Sequence, residues 1–121
     1  MSFRYRDFPI YSQIRQFIID TYSLTDTLPK KEFYGLSSQL RRAATSALLN
    51  IAEGSMKLSD AEFNRFIMIS IGSVSETASI LDICLDLKYI TSSTHARCML
   101  KCETLVKQLY GFSRKLKSTK S

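Results

Sequence analysis

From Ile10 onward, apolar residues recur three and four positions apart, the interval that stacks side chains on one face of a helix. Ile10, Ile14, Phe17, Ile18 and then Thr21 or Tyr22 mark a first helix that fades between Ser23 and Thr27. Asp7, ahead of Phe8 and Pro9, is suited to start it: a carboxylate accepts from the free amides of a first turn, where Pro is tolerated. Leu28-Pro29 breaks the pattern. A second helix begins at Pro29 or at Gly35. The earlier start would place Gly35 inside the helix at a cost of about 1 kcal/mol relative to Ala. This helix carries Leu36, Leu40, Ala44, Ala47 and Ile51 and ends near Gly54, a residue suited to a left-handed C-terminal cap. Ser59-Asp60-Ala61-Glu62 has the form of a capping box and opens a third helix. Its core stripe is Phe63, Phe66, Ile67, Ser70, Val74, Thr77, Ala78, Leu81, Cys84 and Leu85, a single element of about 25 residues and roughly 38 Å. Lys88-Tyr89-Ile90-Thr91-Ser92-Ser93 closes it and offers a Ser or Thr cap to a fourth helix with His95, Cys98, Met99, Cys102, Leu105, Val106, Leu109, Phe112 and Leu116 on one side. Four amphipathic helices with short connections and no strand-like alternation predict an all-α, antiparallel up-down four-helix bundle. It forms one domain over residues 1–121, with 113–121 a flexible basic tail carrying Arg114, Lys115, Lys117 and Lys120.

Two polar patterns modify this picture. On the second helix Gln39, Arg42, Ser46, Asn50 and Glu53 are spaced 3, 4, 4 and 3 apart and form a ladder beside the apolar seam. Neighbouring helices should supply partners for it, because buried amides and charges are costly unless paired. The third helix has more apolar surface than one core needs. Ile69, Ile80, Ile83 and Leu87 lie on a second stripe that also holds Ser73 and Glu76. Leu49 on the second helix and Leu100 on the fourth likewise fall on polar sides. An apolar stripe of this width predicts either the most buried helix of the monomer or a face covered by another copy; the stray leucines favour self-association. Glu76 then needs a donor, Arg42 first and Arg41 second, completing a structural polar network of Gln39, Arg42, Ser46, Asn50, Glu53, Ser73 and Glu76.

Charge divides the chain unequally. Of the formal net charge of +6, residues 1–87 contribute −1, from nine Lys or Arg against ten Asp or Glu, and residues 88–121 contribute +7, from eight against Glu103 alone. Arg97, Lys101, Lys107, Arg114, Lys115 and Lys117 belong to this basic quarter, and the first five fall away from the fourth helix's core stripe. Such a row neutralises phosphates and releases counterions, which points to RNA or DNA; the alternative is a solvated face serving solubility. No aromatic stacking platform or base-reading motif accompanies it, so the expected binding is largely independent of sequence.

Other chemistry finds little support. His95, Cys98 and Cys102 sit at i, i+3 and i+7 with Cys84 opposite, but thiols on a core face usually serve packing, and no metal or cofactor is expected. A single His, no nucleophile elbow, no clustered acids and no Gly-rich phosphate loop leave no catalytic residue, so an enzyme is not expected. The N-terminus lacks an apolar leader core and the apolar run Ile67 to Ser75 is short for a bilayer, so a cytoplasmic protein without a membrane is expected.

Taken together, Gly35-Leu36, Gln39-Leu40-Arg41-Arg42-Ala43, Ser46, Asn50-Ile51-Ala52-Glu53-Gly54, Phe63, Phe66, Gly72-Ser73 and Glu76 resemble a family of four-helix bundles. That family is encoded in intervening sequences of bacterial large-subunit ribosomal RNA genes and is related to the accessory variability determinants of diversity-generating retroelements. The resemblance extends from about Phe8 to Leu109. It departs at Ala47-Leu48-Leu49, where many members resemble SIPSNIAEG with a kinking Pro. It implies a non-enzymatic basic bundle assembled into a ring, in the relatives a homopentamer. In the retroelement relatives it also implies binding to a reverse transcriptase and to nucleic acid. Two function classes follow: an oligomeric accessory protein that holds RNA or DNA, and an interaction scaffold with no nucleic-acid binding.

Overall fold

A computed structural model describes residues 3–118. Its four helices are α1 (Pro9–Thr25), α2 (Leu36–Ser55), α3 (Asp60–Asp86) and α4 (Ser92–Ser118), with short 3-10 turns at Arg4–Asp7 and Lys30–Glu32. Each helix packs on the next and α4 returns to α1, giving the four-helix bundle expected. The core runs along the predicted stripes: Ile14, Leu40, Ala44, Ala47, Ile51, Ile67, Val74, Cys84 and Leu109 are wholly removed from solvent. On α1 it is Thr21 that faces inward, its hydroxyl donating to Phe17 O at 2.8 Å, while Tyr22 is exposed.

Local chemistry explains most helix ends. The Ser59 hydroxyl accepts from the Glu62 amide at 3.1 Å, and the Thr91 hydroxyl from the Thr94 amide at 3.1 Å, each satisfying an amide of a first turn. Two expected caps are built otherwise. Asp7 ends the preceding 3-10 turn, and Phe8 holds the N-cap position of α1 without a side-chain bond. Gly54 lies inside α2 with a negative φ and caps nothing. A Cβ on Gly54 would stand 2.6 Å from Phe66 Cβ and 2.9 Å from Phe63 Cδ1, so the glycine is there to let α3 approach. Gly35 is the N-cap of α2, and Glu32 reaches over it to accept from the Leu36 amide at 3.1 Å.

Two further expectations are revised. Residues 113–118 continue α4 instead of forming a loose tail: Ser113 is buried and donates to Asn64 Oδ1 of α3, tying the last turns down. The remainder of the expected tail, including Lys120, lies outside the described residues. The third helix, by length and composition, is apolar enough to cross a membrane, although its uncharged run is short. In this fold eleven of its 27 residues are buried against α2 and α4, as befits the central helix of the bundle.

Candidate functional site

The α2–α3 seam is built from small residues. Ala43, Ala44, Ala47, Gly54, Ser70 and Val74 let the helices close until backbone and hydroxyls bond directly: Ser70 Oγ donates to Ala47 O at 2.7 Å. Beside it, Ser46 and Ser73 share a hydrogen bond of 2.9 Å, and Asn50 Nδ2 donates to Ser46 O and Oγ at 2.8 and 3.0 Å. Of the expected polar network, Ser46, Asn50 and Ser73 are therefore brought together. Gln39, Arg42, Glu53 and Glu76 are exposed instead, and among the described residues Arg42 and Glu76 form no ion pair. Small side chains bring the helices so close that longer ones at the rim turn outward, where hydration removes the need for a partner. Arg41 points away toward α1, its guanidinium over Phe33 and Tyr22 at 5.2 and 5.8 Å from the ring centroids.

The expected apolar face is four residues, not five. Leu49, Ile69, Ile83 and Leu87 are 58, 40, 45 and 49% exposed, whereas Ile80 is 4% exposed and belongs to the monomer core. At 100° per residue Ile80 lies about 20° nearer the core seam than Ile69 and Leu87, at the edge of the stripe beside buried Ser73. Gly72 lies on the same outer surface of α3 with no atom within 4 Å of the Cβ it lacks.

On α4, Arg97, Lys101, Lys107, Arg114, Lys115 and Lys117 are all exposed. Lys101 is engaged: its Nζ lies 2.9 Å from Asp20 Oδ2 on α1. Burial pushes the Asp20 carboxyl up, but hydrogen bonds from Lys101 and Gln16 outweigh it and hold the group below its usual range. Arg97, Lys107, Arg114 and Lys117 face no carboxylate in an ion pair among the described residues.

Elsewhere the polar groups are structural. His95 Nε2 lies 2.7 Å from Asp82 Oδ1, and Tyr89 donates to Glu32 Oε2 at 2.9 Å, which ties the α3–α4 turn to the α1–α2 connection. Burial raises the thiols of Cys84 and Cys98 and pushes Cys102 up to about 12, so all three stay protonated near neutrality. Among the described residues no group of three or more His, Cys, Asp or Glu is arranged to hold a metal ion. The α1 side of the α1–α4 seam, with Gln13, Gln16 and Asp20, was not singled out by the sequence. Its one signal is a polar edge to α1, with glutamines three apart.

Residues 6–111 match the family described as 23S rRNA-intervening sequence protein. The fold is similar to the crystal structure of a protein of unknown function from the S23 ribosomal protein family of Bacteroides thetaiotaomicron, with a TM-score of 0.79 and 22% identity over 86% of this chain and 97% of that one. No curated protein matches the sequence.

Proposed function

Because the chain belongs to the 23S rRNA-intervening sequence protein family, we propose that it is a non-enzymatic, homo-oligomeric protein of the cytoplasm that binds RNA or DNA through α4. It acts as an accessory to a nucleic-acid enzyme such as a reverse transcriptase. The observation that carries this reading is the basic surface of α4: Arg97, Lys107, Arg114 and Lys117 stand exposed with no carboxylate paired to them among the described residues. Charges meant only for solubility are commonly interspersed with acids, whereas α4 carries Glu103 alone. Binding should fall steeply with salt and depend little on base sequence. The test is fluorescence anisotropy with labelled RNA and DNA across a sodium chloride series. The Arg97→Gln, Lys101→Gln, Lys107→Gln, Arg114→Gln variant should lose binding while keeping its helical circular dichroism. Absence of binding by the parent protein at low salt removes this reading and leaves the scaffold.

Self-association is supported by the outer α2–α3 surface, where Leu49, Ile69, Ile83 and Leu87 stand exposed among Arg42, Glu53 and Glu76. Apolar side chains interleaved with both signs of charge suit a different face of another copy, the head-to-tail contact that closes a ring, a pentamer in the resembling proteins, and such a ring would repeat the α4 cations around one axis. Light scattering should report a multiple of 13.8 kDa, reduced to the monomer by Ile69→Lys with Ile83→Lys. A 13.8 kDa particle at micromolar concentration overturns the oligomer.

A further inference from the structure

Of the four neighbouring helix pairs, α1 and α4 make the sparsest contact. A groove follows their seam from end to end as three adjoining hollows. Phe17, Asp20 and Lys101 are common to the first two, and Gln13 and Gln108 to the second and third. Cations stand at both ends and in the middle: Arg97 at the α4 N-terminal end, Lys101 midway, and Arg114 with Lys115 at the other end. From Arg97 to Lys115 the helix rises about 27 Å. The residues lining the groove include one carboxylate, Asp20, bound by Lys101 at 2.9 Å and Gln16 at 3.0 Å. Between the cations the walls mix apolar Phe17, Leu100 and Leu105 with neutral amides and a hydroxyl, Gln13, Gln16, Gln108 and Thr104.

We propose that this groove seats one strand of single-stranded RNA, with its phosphates on Arg97, Lys101 and Arg114. The inference rests on the nucleic-acid reading above and deepens it by naming the path and the form of the ligand. Packed helices lie about 8–10 Å apart, and a furrow between two such neighbours suits a single strand better than a duplex. Cations spaced along a furrow track a backbone, while amides and hydroxyls bond base edges without demanding one base. The Asp20–Lys101 bridge acts as an internal competitor for the central phosphate.

Two sets of variants test this with a dye-labelled oligouridine about 12 nucleotides long. Gln13→Glu with Gln108→Glu puts negative charge in the groove without touching any cation, and should weaken binding about 10-fold or more. Asp20→Asn, which frees Lys101, should tighten binding about threefold and steepen its salt dependence. Met56→Glu with Leu58→Glu, and Asp60→Asn, make the same charge changes at the exposed α2–α3 connection, outside the groove and the self-association surface, and should leave the affinity within about twofold. Thermal unfolding of each variant reports whether it is folded. Equal effects from the groove and control sets overturn the groove while binding itself stands. Preference for duplex over single strand, or equal displacement of the RNA by oligoglutamate of matched charge, overturns the assignment of the ligand. Absence of binding by the parent protein removes the nucleic-acid reading and this inference together.

Discussion

The α2–α3 and α1–α4 seams lie on opposite sides of the bundle and follow opposite rules. Between α2 and α3, alanines, serines and Gly54 bring the helices close enough for Ser70 to bond the backbone of Ala47. Between α1 and α4, glutamines, Asp20 and Lys101 hold a furrow open, bridged by one ion pair. A tight seam of small residues fixes which helices are neighbours, since any added volume there is felt by both. An open seam of long polar residues adds little stability and leaves surface for a ligand. Substitutions should therefore cost stability on the first side and change binding on the second.

The largest effect on stability is expected at Gly54. Gly54→Ala places a methyl 2.6 Å from Phe66 Cβ and 2.9 Å from a ring carbon of Phe63. Both belong to the core wall and cannot swing away, so overpacking should destabilise the fold by about 1–3 kcal/mol, outweighing the roughly 1 kcal/mol that Ala gains over Gly in a helix. Urea unfolding monitored by circular dichroism checks this, and an unchanged midpoint would show that the seam has slack. A smaller loss is expected from Ser70→Ala, about 0.5–1.5 kcal/mol for one buried hydrogen bond, since Ala47 O keeps its place in the helix ladder. Gly72→Ala should act the other way. With no atom within 4 Å of the new methyl, it should stabilise the isolated chain by about 0.5–1 kcal/mol, while Gly72→Leu should dissociate the oligomer if a second copy lies on that surface.

The same contrast explains what could be read from the sequence. The helices, their order and most of their core were legible because burial on one side imposes a three-four repeat that local inspection detects. The Ser59 cap was legible for the same reason, being decided within four residues. Gly54 was misread because a cap and a close approach require the same residue, and only the position of Phe66 distinguishes them. The Arg42–Glu76 pair did not form because seam width, a property of two helices together, decides whether a rim charge is buried. Ile80 was grouped with the outward stripe although it sits on the stripe's inner edge, and only the neighbouring helices show how far burial reaches around α3. On α4 the cations were legible one by one; the groove that arranges them needed α1 beside them, and glutamines on a helix edge give no signal of what they will face.

The smallest effect, and the most telling for the open seam, is expected from the Asp20–Lys101 bridge. Its side chains are 35 and 47% exposed, so water screens the attraction. A double-mutant cycle with Asp20→Asn and Lys101→Gln should give a coupling near the low end of the roughly 0.2–1 kcal/mol measured for exposed pairs. The acid limb gives the sign. Because the folded carboxyl sits below its ordinary value of 3.8, the unfolded chain binds the proton more tightly. The bridge therefore stabilises the fold above about pH 4 and loses that contribution as the pH falls through the folded value. Asp20→Asn should remove this part of the acid destabilisation and leave neutral stability almost unchanged. A coupling well above 1 kcal/mol would make the bridge a structural tie and α1–α4 a closed seam. A coupling of a few tenths leaves Lys101 free to exchange its carboxylate for a phosphate at little cost, which a groove for an anionic strand requires.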